Sequence, residues 1–374
     1  MANGTKNVLV TGGAGFIGSH VVDTLIDNGY TVRVLDNLAP PTHNGKLPEW
    51  FNKKAEFLKG DVRIKKDWRK ALNGVEAVIH LAAYMDQHPD FSNYVSTNVE
   101  SIALMFESVV ENKIPIKKII AASSQSVYGH GKYRCKNHGS IYPEPRTIND
   151  LKNRHWDYLC KDCGETLTFL PEKEDDTLFP QIPYGISKLA SEQLLMNLGK
   201  KYGVSSVISR VSIALGPRQS FRHFYSGALR AFAVNVLNNE PIKINEDGQQ
   251  SRDFVDVRDT ASAYLKVLED SRADFQIFNF GSGNNTKIID LAEMVSNAAE
   301  VPFWPSLNNR FRAGDARHSP MDMDKLKALG WRPKYALAEA VSEYLKWVRQ
   351  FKNLKENLDK NYDQLKKEGI LFGY

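Results

Sequence analysis

Cysteine is scarce in this 374-residue chain: there are three, all between Cys135 and Cys163. An odd, clustered set argues against a disulfide framework and toward metal ligation. No apolar run approaches about 18 residues, so no transmembrane helix is expected. Met1 to Lys6 lacks the apolar stretch of a secretory leader and runs straight into Val8-Leu9-Val10, so the expected compartment is the cytosol. Neither sign of charge dominates: 49 Lys and Arg stand against 44 Asp and Glu, a net +5. No block of five or six like charges stands out. A dedicated nucleic-acid binder concentrates its basic residues, so this balance suits a protein that holds an anionic small molecule. No repeat at a period of about 20–50 residues is evident, and no segment is low-complexity. What remains is ordinary globular usage, 42% hydrophobic and 25% charged, in a chain long enough for one large core or two unequal ones.

Short apolar runs at Asn7–Thr11, Thr31–Leu35, Ala55–Lys59, Ala77–Leu81, Lys118–Ala122 and Ser206–Arg210 alternate with helical patterns. The helical patterns include Ser19–Asn28, Trp68–Asn73, Tyr94–Asn112 and Tyr184–Tyr202. This rhythm predicts βαβ units: an α/β fold with a doubly wound parallel sheet and helices on both faces. It assigns residues 1–213 to a nucleotide-binding domain interrupted by an insertion at 130–182, too long for an ordinary loop. Residues 214–349 read as a smaller α+β substrate lobe. Its expected parts are a helix over Phe221–Asn238, strands over Ile242–Asn245 and Asp253–Asp256, a helix over Thr260–Leu268, a segment Phe275–Phe280 and a helix over Ile288–Ala299. A polar helix starts at Leu337–Arg349 and is expected to run on through Leu365 into a tail over 350–374. Its stripe of Leu345, Val348, Leu354, Leu358 and Leu365 faces either its own subunit or a partner.

Thr11-Gly12-Gly13-Ala14-Gly15-Phe16-Ile17-Gly18 follows the first strand and opens a helix. Gly12, Gly15 and Gly18 let the backbone turn tightly and approach a pyrophosphate, to which the helix start offers free N–H groups. Asp36 closes the next strand, where its carboxylate can accept both ribose hydroxyls and would repel a 2′-phosphate. NAD is therefore favoured over NADP. Phe16, Ile17 and Asn37 fall in the same cofactor set. Asp61-Val62, after the third strand, is placed to face the adenine, although Gly60-Asp61 also reads as a plain turn.

Tyr184-Gly185-Ile186-Ser187-Lys188 begins a helix, which puts Tyr184 and Lys188 on one face. An ammonium beside a phenol favours phenolate, lowering a pKa normally near 10. The tyrosine then becomes a usable base for a hydroxyl proton. Ser123-Ser124 ends a parallel strand, where ligands of such sheets gather.

These features resemble the extended short-chain dehydrogenase/reductase family, specifically its nucleotide-sugar epimerases and dehydratases, with a Rossmann-type sheet. The likeness runs from about Asn7 to Arg349. It includes the glycine loop, His80-Leu81-Ala82-Ala83, Thr97-Asn98-Val99, Ser123-Ser124 with Tyr128-Gly129, Tyr184 with Lys188, and Gly216-Pro217. It continues through Arg252-Asp253-Phe254-Val255, Asn279-Phe280-Gly281-Ser282-Gly283, and Arg312 with Gly314-Asp315. The resemblance implies that Leu81, Ala82, Ala83, Asn98, Ser123 and Lys188 support NAD. It also implies that Ser124 bonds the sugar hydroxyl and that Tyr184 is the base. Arg252 and Arg312 resemble arginines that grip a nucleoside diphosphate, a task for planar bidentate donors; ion pairs with Asp253 and Asp315 are the alternative. Gln125, Ser126, Gln219 and Asp315 complete the expected substrate set. A homodimer is implied as well.

Branches of the family differ just after Ser124. Dehydratases carry an acidic pair there, sugar decarboxylases a glutamate at the place of Ser126, and C3/C5 epimerase-reductases a cysteine. This chain has Gln125 and Ser126. What remains can move a hydride and a hydroxyl proton, the minimal equipment of a 4-epimerase. Within that branch the chain resembles the dTDP-L-rhamnose 4-epimerases. The segments are Leu35-Asp36-Asn37-Leu38 with Pro41 and His43, Tyr133-Arg134-Cys135, Gln219-Ser220 with Tyr225-Ser226-Gly227, Glu246-Asp247-Gly248, and Gly314-Asp315-Ala316-Arg317-His318. Departures are Ile213 and Leu215 before the Gly-Pro pair and the loop from Tyr84 to Asp90. A dehydrogenase or reductase that releases NADH, or another NDP-hexose epimerase such as a UDP-sugar 4-epimerase, is the alternative activity.

Cys135 and His138 form one short pair, Cys160 and Cys163 another. Such pairs converge on one tetrahedral centre, and three thiolates with one imidazole leave no open position for water. Structural zinc is therefore expected, stapling the insertion as a lid or rim. His130 and His155 are the alternative ligands, and metal-free thiols the alternative state. A scaffold without catalysis and a nucleic-acid-binding knuckle are disfavoured by the intact Tyr184/Lys188 pair and by Glu172, Glu174, Asp175 and Asp176 in the insertion.

Overall fold

Alternation in strand β1 (Asn7–Thr11) sends Val8 and Val10 into one apolar core and Leu9 into another. A strand apolar on both faces belongs inside a covered parallel sheet, and the computed structural model, which describes residues 6–86, 88–222, 227–307 and 309–373, places it there. Seven parallel strands run in the order Ile277–Phe280, Ser205–Val211, β5 (Lys118–Ser124), β4 (Ala77–His80), β1, β2 (Thr31–Asp36) and β3 (Glu56–Lys59). The winding direction reverses between β1 and β4, so a crevice opens beyond their carboxyl ends. Strand β2 ends at Asp36 and β5 at Ser124, so both residues stand at the strand ends, as expected.

Helix α1 (Phe16–Asp27) follows β1 directly. The helical stretch expected from Tyr94 divides into Phe91–Tyr94, a wider π-helical turn Val95–Glu100, and Ser101–Glu111. The helix expected at Trp68–Asn73 spans Lys65–Ala71.

The smaller lobe has its own core, with Leu229 and Phe232 from helix Gly227–Leu237, Leu291 from helix Ile288–Ala299, and Val341 and Leu345 from helix Leu337–Val348. The division at residue 213 is not a clean cut. Helix Val257–Glu269 packs Ala261, Tyr264 and Val267 into the first core, and Ile277–Phe280 hydrogen-bonds to Ser205–Val211 as an edge of the main sheet. The expectation that the whole of 214–349 forms one lobe is corrected accordingly. In the expected helix Phe221–Asn238, residues 223–226, including Tyr225 and Ser226, lie outside the described residues, as do Met1–Thr5.

The insertion is a three-stranded antiparallel sheet, Gly139–Ile141, Lys132–Cys135 and Thr168–Leu170, around Tyr133, Tyr158 and Leu167. Its one helix, Ile148–Lys152, starts at a capping box in which Thr147 and Asp150 satisfy each other's backbone N–H groups. The expected long C-terminal helix is two, Leu337–Val348 and Leu354–Lys367, separated at Asn353, whose φ is 61°. Leu345, Val348, Leu354 and Leu358 all enter the lobe's own core, and Leu365 is buried too, so the stripe packs on its own chain. Beyond it, Leu371–Phe372 pairs antiparallel with Phe311–Arg312. Phe372 stacks on Phe311 at 5.4 Å, and Phe311 meets Trp156 of the insertion at 6.4 Å. No helix among the described residues is long and apolar enough to cross a membrane.

Candidate active site

One cavity of about 1100 Å³ runs along the carboxyl ends of the strands. Gly12, Gly15, Gly18 and Asp36 line one end, Ser124, Tyr184 and Lys188 the middle, and Gln219, Arg252, Arg312 and Asp315 the other end.

At the glycine end the turn and the helix nearly touch: a Cβ on Gly18 would lie 2.1 Å from the Gly12 carbonyl oxygen, so only glycine fits. Gly15 caps α1 without a side chain, which leaves the first-turn N–H groups of Phe16 and Ile17 toward the cavity they line. The Asp36 carboxylate accepts from the Ala14 N–H (3.1 Å) and the Leu38 N–H (2.9 Å), with one lone pair left on each oxygen. Asp61 is bound by Arg63 and Asn37. Burial raises its carboxyl, but the Arg63 hydrogen bonds more than offset this and hold it below its ordinary value. Asn37, Val62, Leu81, Ala82 and Ala83 also line the cavity. The turn after β4 is fixed by the Thr11 hydroxyl, which accepts from the Leu81 and Ala82 N–H groups at 3.2 and 3.1 Å. His80 bridges Thr11 (2.7 Å) and Ser101 (3.0 Å), and burial pushes its pKa down to about 3, so it works as a neutral strut. A glycine cradle, a helix start and an anchored carboxylate fit a dinucleotide with a free adenosine ribose.

Pro183 opens helix Pro183–Tyr202 at the position where a missing N–H costs least. Tyr184 and Lys188 follow one turn apart, and both are buried against the cavity. Burial brings the Lys188 ammonium down to about 8 against the opposing pull of Glu192. The helix lies close to the turn after β5: a Cβ on Gly185 would come 2.7 Å from the Ser126 carbonyl. The Ser124 hydroxyl accepts from the Ser126 N–H at 3.2 Å. Around it, Gln125 Oε1, Ser126 Oγ and Ser212 Oγ line the cavity buried and without hydrogen-bond partners among the described residues. Orphaned buried polar atoms are costly unless a ligand satisfies them, and this set suits a hydroxyl-rich one.

One expected cofactor contact is arranged differently. Asn98 does not line the cavity; its amide bonds the backbone of Tyr84 on both sides and the Ser187 hydroxyl, so it holds a loop and the Tyr184 helix together. Ser123 lines the cavity as expected, while its hydroxyl is taken up in a hydrogen bond of 2.5 Å to Glu192.

At the far end, Arg252 makes no ion pair with Asp253, which instead accepts from the Ser282 and Gly283 N–H groups. Its guanidinium donates to the carbonyls of Ser251, Ala316 and Arg317. Arg312 does pair with Asp315, at 2.9 Å. The sequence reading missed several wall residues here: Glu246, and Leu358, Asn361 and Tyr362 of the C-terminal helix. The leucine stripe was the one signal for the helix, and it says nothing about what the helix covers.

In the insertion, one ligand atom from each of Cys135, His138, Cys160 and Cys163 lies within 4.8 Å of the others. His138 Nδ1 is 3.6 Å from Cys135 Sγ and 3.3 Å from Cys160 Sγ, and Cys135 Sγ is 3.6 Å from Cys163 Sγ. These are the edge lengths of a tetrahedron with metal–ligand bonds of about 2.0–2.3 Å. His130 and His155 are outside the cluster; His130 bonds Tyr158 at 2.7 Å.

Residues 8–281 match the model of the NAD dependent epimerase/dehydratase family. The dTDP-L-rhamnose 4-epimerase of Burkholderia thailandensis is 32% identical over 92% of this chain and 95% of its own. The structure of UDP-glucose 4-epimerase with UDP-glucose from Thermotoga maritima superposes with a TM-score of 0.73 at 30% identity, covering 92% of this chain and 99% of that one. The Thermus thermophilus UDP-glucose 4-epimerase complex with NAD gives a TM-score of 0.72 at 28% identity over the same shares. With its glycine cradle, its Tyr184/Lys188 helix and this breadth of likeness, the chain belongs to the NAD dependent epimerase/dehydratase family.

Proposed function

We propose that the chain is a nucleotide-sugar 4-epimerase of the cytoplasm, acting at C4 of a 6-deoxyhexose or hexose on dTDP or another nucleoside diphosphate. One observation carries the reading. Tyr184 and Lys188 stand midway along a single cavity between a dinucleotide cradle and an arginine-bearing loop, and Gln125 and Ser126 supply no second acid or base there. Bound NAD supplies a hydride acceptor that, once reduced, gives the hydride back. Tyr184 takes the proton of the C4 hydroxyl as that carbon is oxidised to a ketone, and returns it after the 4-keto sugar has turned its other face. Lys188 favours the phenolate by its charge. Ser124 aligns the hydroxyl, and Arg252 and Arg312 face the diphosphate.

The same reading places structural zinc on Cys135, His138, Cys160 and Cys163, whose closed shell of four gives it no part in the chemistry. It also carries a homodimer: Phe91, Val95 and Ile186, 53–59% exposed, lie on neighbouring helices as an apolar face. Nucleic acid is not a partner in this reading.

Purified protein is tested for epimer formation with UDP-glucose and with dTDP-L-rhamnose. Tyr184→Phe should keep its NAD and lose turnover by at least about a hundredfold. Activity near that of the unaltered enzyme overturns the assignment of the base, and net NADH release overturns epimerisation in favour of a dehydrogenase.

A further inference from the structure

We propose that the Cys/His insertion is a clasp on the nucleotide end of the cavity, that Arg146 is the positioning residue through which it acts, and that metal binding and nucleotide binding are therefore coupled. This rests on the metal and diphosphate readings given above.

The insertion's core is small, five buried side chains of which two are Cys135 and Cys160. A core of that size is not self-supporting, and a metal centre contributes folding energy directly. Tyr133 and Tyr158 each precede a ligand by two residues, and their rings meet at 4.9 Å. Arg146 lies with its guanidinium 5.8 Å from the centre of the Tyr158 ring and donates to the Trp156 carbonyl at 2.9 Å. The guanidinium is thus held by the chain segment that leads into Cys160.

Its other contacts leave the insertion. Arg146 donates to both oxygens of Glu246, a cavity-lining residue, at 2.9 and 3.0 Å, and to the Asp315 carbonyl at 2.9 Å. Both members of the Arg146–Glu246 pair are about 95% buried. A second strut runs parallel: Asp157 of the insertion binds Arg317 at 2.8 Å, and Arg317 also reaches Glu246 at 3.0 Å. The segment gripped in this way is 312–317. It carries Arg312 and Asp315 on the cavity wall, and its Ala316 and Arg317 carbonyls orient the Arg252 guanidinium. Metal at the cysteines orders Tyr158 and Arg146; these fix 312–317; and that segment presents the charges that meet the diphosphate. Coupling of this kind is reciprocal: a nucleotide that favours the ordered segment must tighten the metal site by the same factor.

The experiment measures transfer of zinc from the NAD-loaded enzyme to a chromogenic chelator, with and without UDP, beside direct binding of UDP. Saturating UDP should weaken transfer to the chelator at least about fivefold at equilibrium. Arg146→Met should keep its zinc and NAD, lose the UDP effect, and raise the KM for nucleotide sugar about tenfold with a much smaller change in kcat. Arg146→Lys keeps the charge but not the fork, and should restore only part of the effect. Protein that holds zinc and binds UDP but shows equal transfer with and without it overturns the coupling and leaves both underlying readings standing. Protein purified with no metal overturns the metal reading, and protein that binds neither UDP nor, in the same assay, dTDP overturns the diphosphate reading; the proposal falls with either. The comparison on the unaltered enzyme decides the matter even if Arg146→Met does not fold.

Discussion

The Glu192 carboxylate accepts two hydrogen bonds from the Arg210 guanidinium, of 2.9 and 3.0 Å, and the two side chains are 3% and 1% exposed. Glu192 stands one turn beyond Lys188 on the same helix, and Arg210 lies on strand Ser205–Val211, one in from the edge of the sheet. The pair therefore ties the helix that carries Tyr184 and Lys188 to the sheet. Removing one partner leaves a buried charge uncompensated. Glu192→Ala should cost roughly 3–5 kcal/mol in denaturant-induced unfolding, whereas an exposed pair such as Lys360–Glu356 should cost less than about 1 kcal/mol.

The pH profile of turnover should carry the mark of Lys188. Burial lowers its ammonium to about 8, so the charged form dominates below that pH and fades above it. Losing the charge removes the field that favours the Tyr184 phenolate, and kcat should fall as pH rises through this range. Arginine stays protonated throughout. Lys188→Arg should be slower at pH 7 and should lack the alkaline fall, as steady-state rates across pH 6 to 10 would reveal.

Ser126 offers a separation of stability from binding. Its hydroxyl is buried against the cavity with no partner among the described residues. Deleting an unsatisfied group relieves a cost in the free protein but removes a contact to the sugar. Ser126→Ala should leave the melting temperature equal or higher while raising the KM for nucleotide sugar by roughly three- to tenfold. A fall in both stability and affinity would assign Ser126 to packing alone.

The C-terminal helix is latched to the loop after β4, where His88 Nδ1 lies 2.7 Å from Glu368. Burial lowers the imidazole, but the Glu368 hydrogen bond and the nearby Asp86 charge outweigh it and leave its pKa above the ordinary 6.5. A raised folded-state value means that the latch contributes fully below 6.5 and is lost as pH rises through that higher value. Amide exchange over Leu354–Lys367 should therefore be slower in the unaltered enzyme than in Glu368→Ala at about pH 6. The two should converge by about pH 8.5.

What the sequence made legible follows the range of the forces involved. The βαβ rhythm, the glycine cradle and Asp36 are local patterns, a period or a spacing of a few residues, and each is where its spacing places it. The Cys135, His138, Cys160 and Cys163 cluster was readable because each half is a short pair with local spacing, whereas His130 and His155 lack such a partner. Asn98 was misplaced because its role is set by Tyr84 and Ser187, contacts that no spacing encodes. Arg146 and Glu246 are 100 positions apart and invisible as a pair until the insertion is folded onto the lobe. The C-terminal stripe announced a packed helix, yet the break at Asn353 and the cavity beneath Tyr362 depend on the partner surface.

The ring sequence Trp156, Phe311 and Phe372 has a consequence for anyone exchanging parts among relatives. It draws one ring from the knuckle, one from the arginine-bearing strand and one from the last residues of the chain, at 6.4 and 5.4 Å. Grafting a foreign insertion without its matching terminus, or trimming the terminus alone, leaves a ring facing a void. These three segments pack as a unit, and chimeras should respect that linkage.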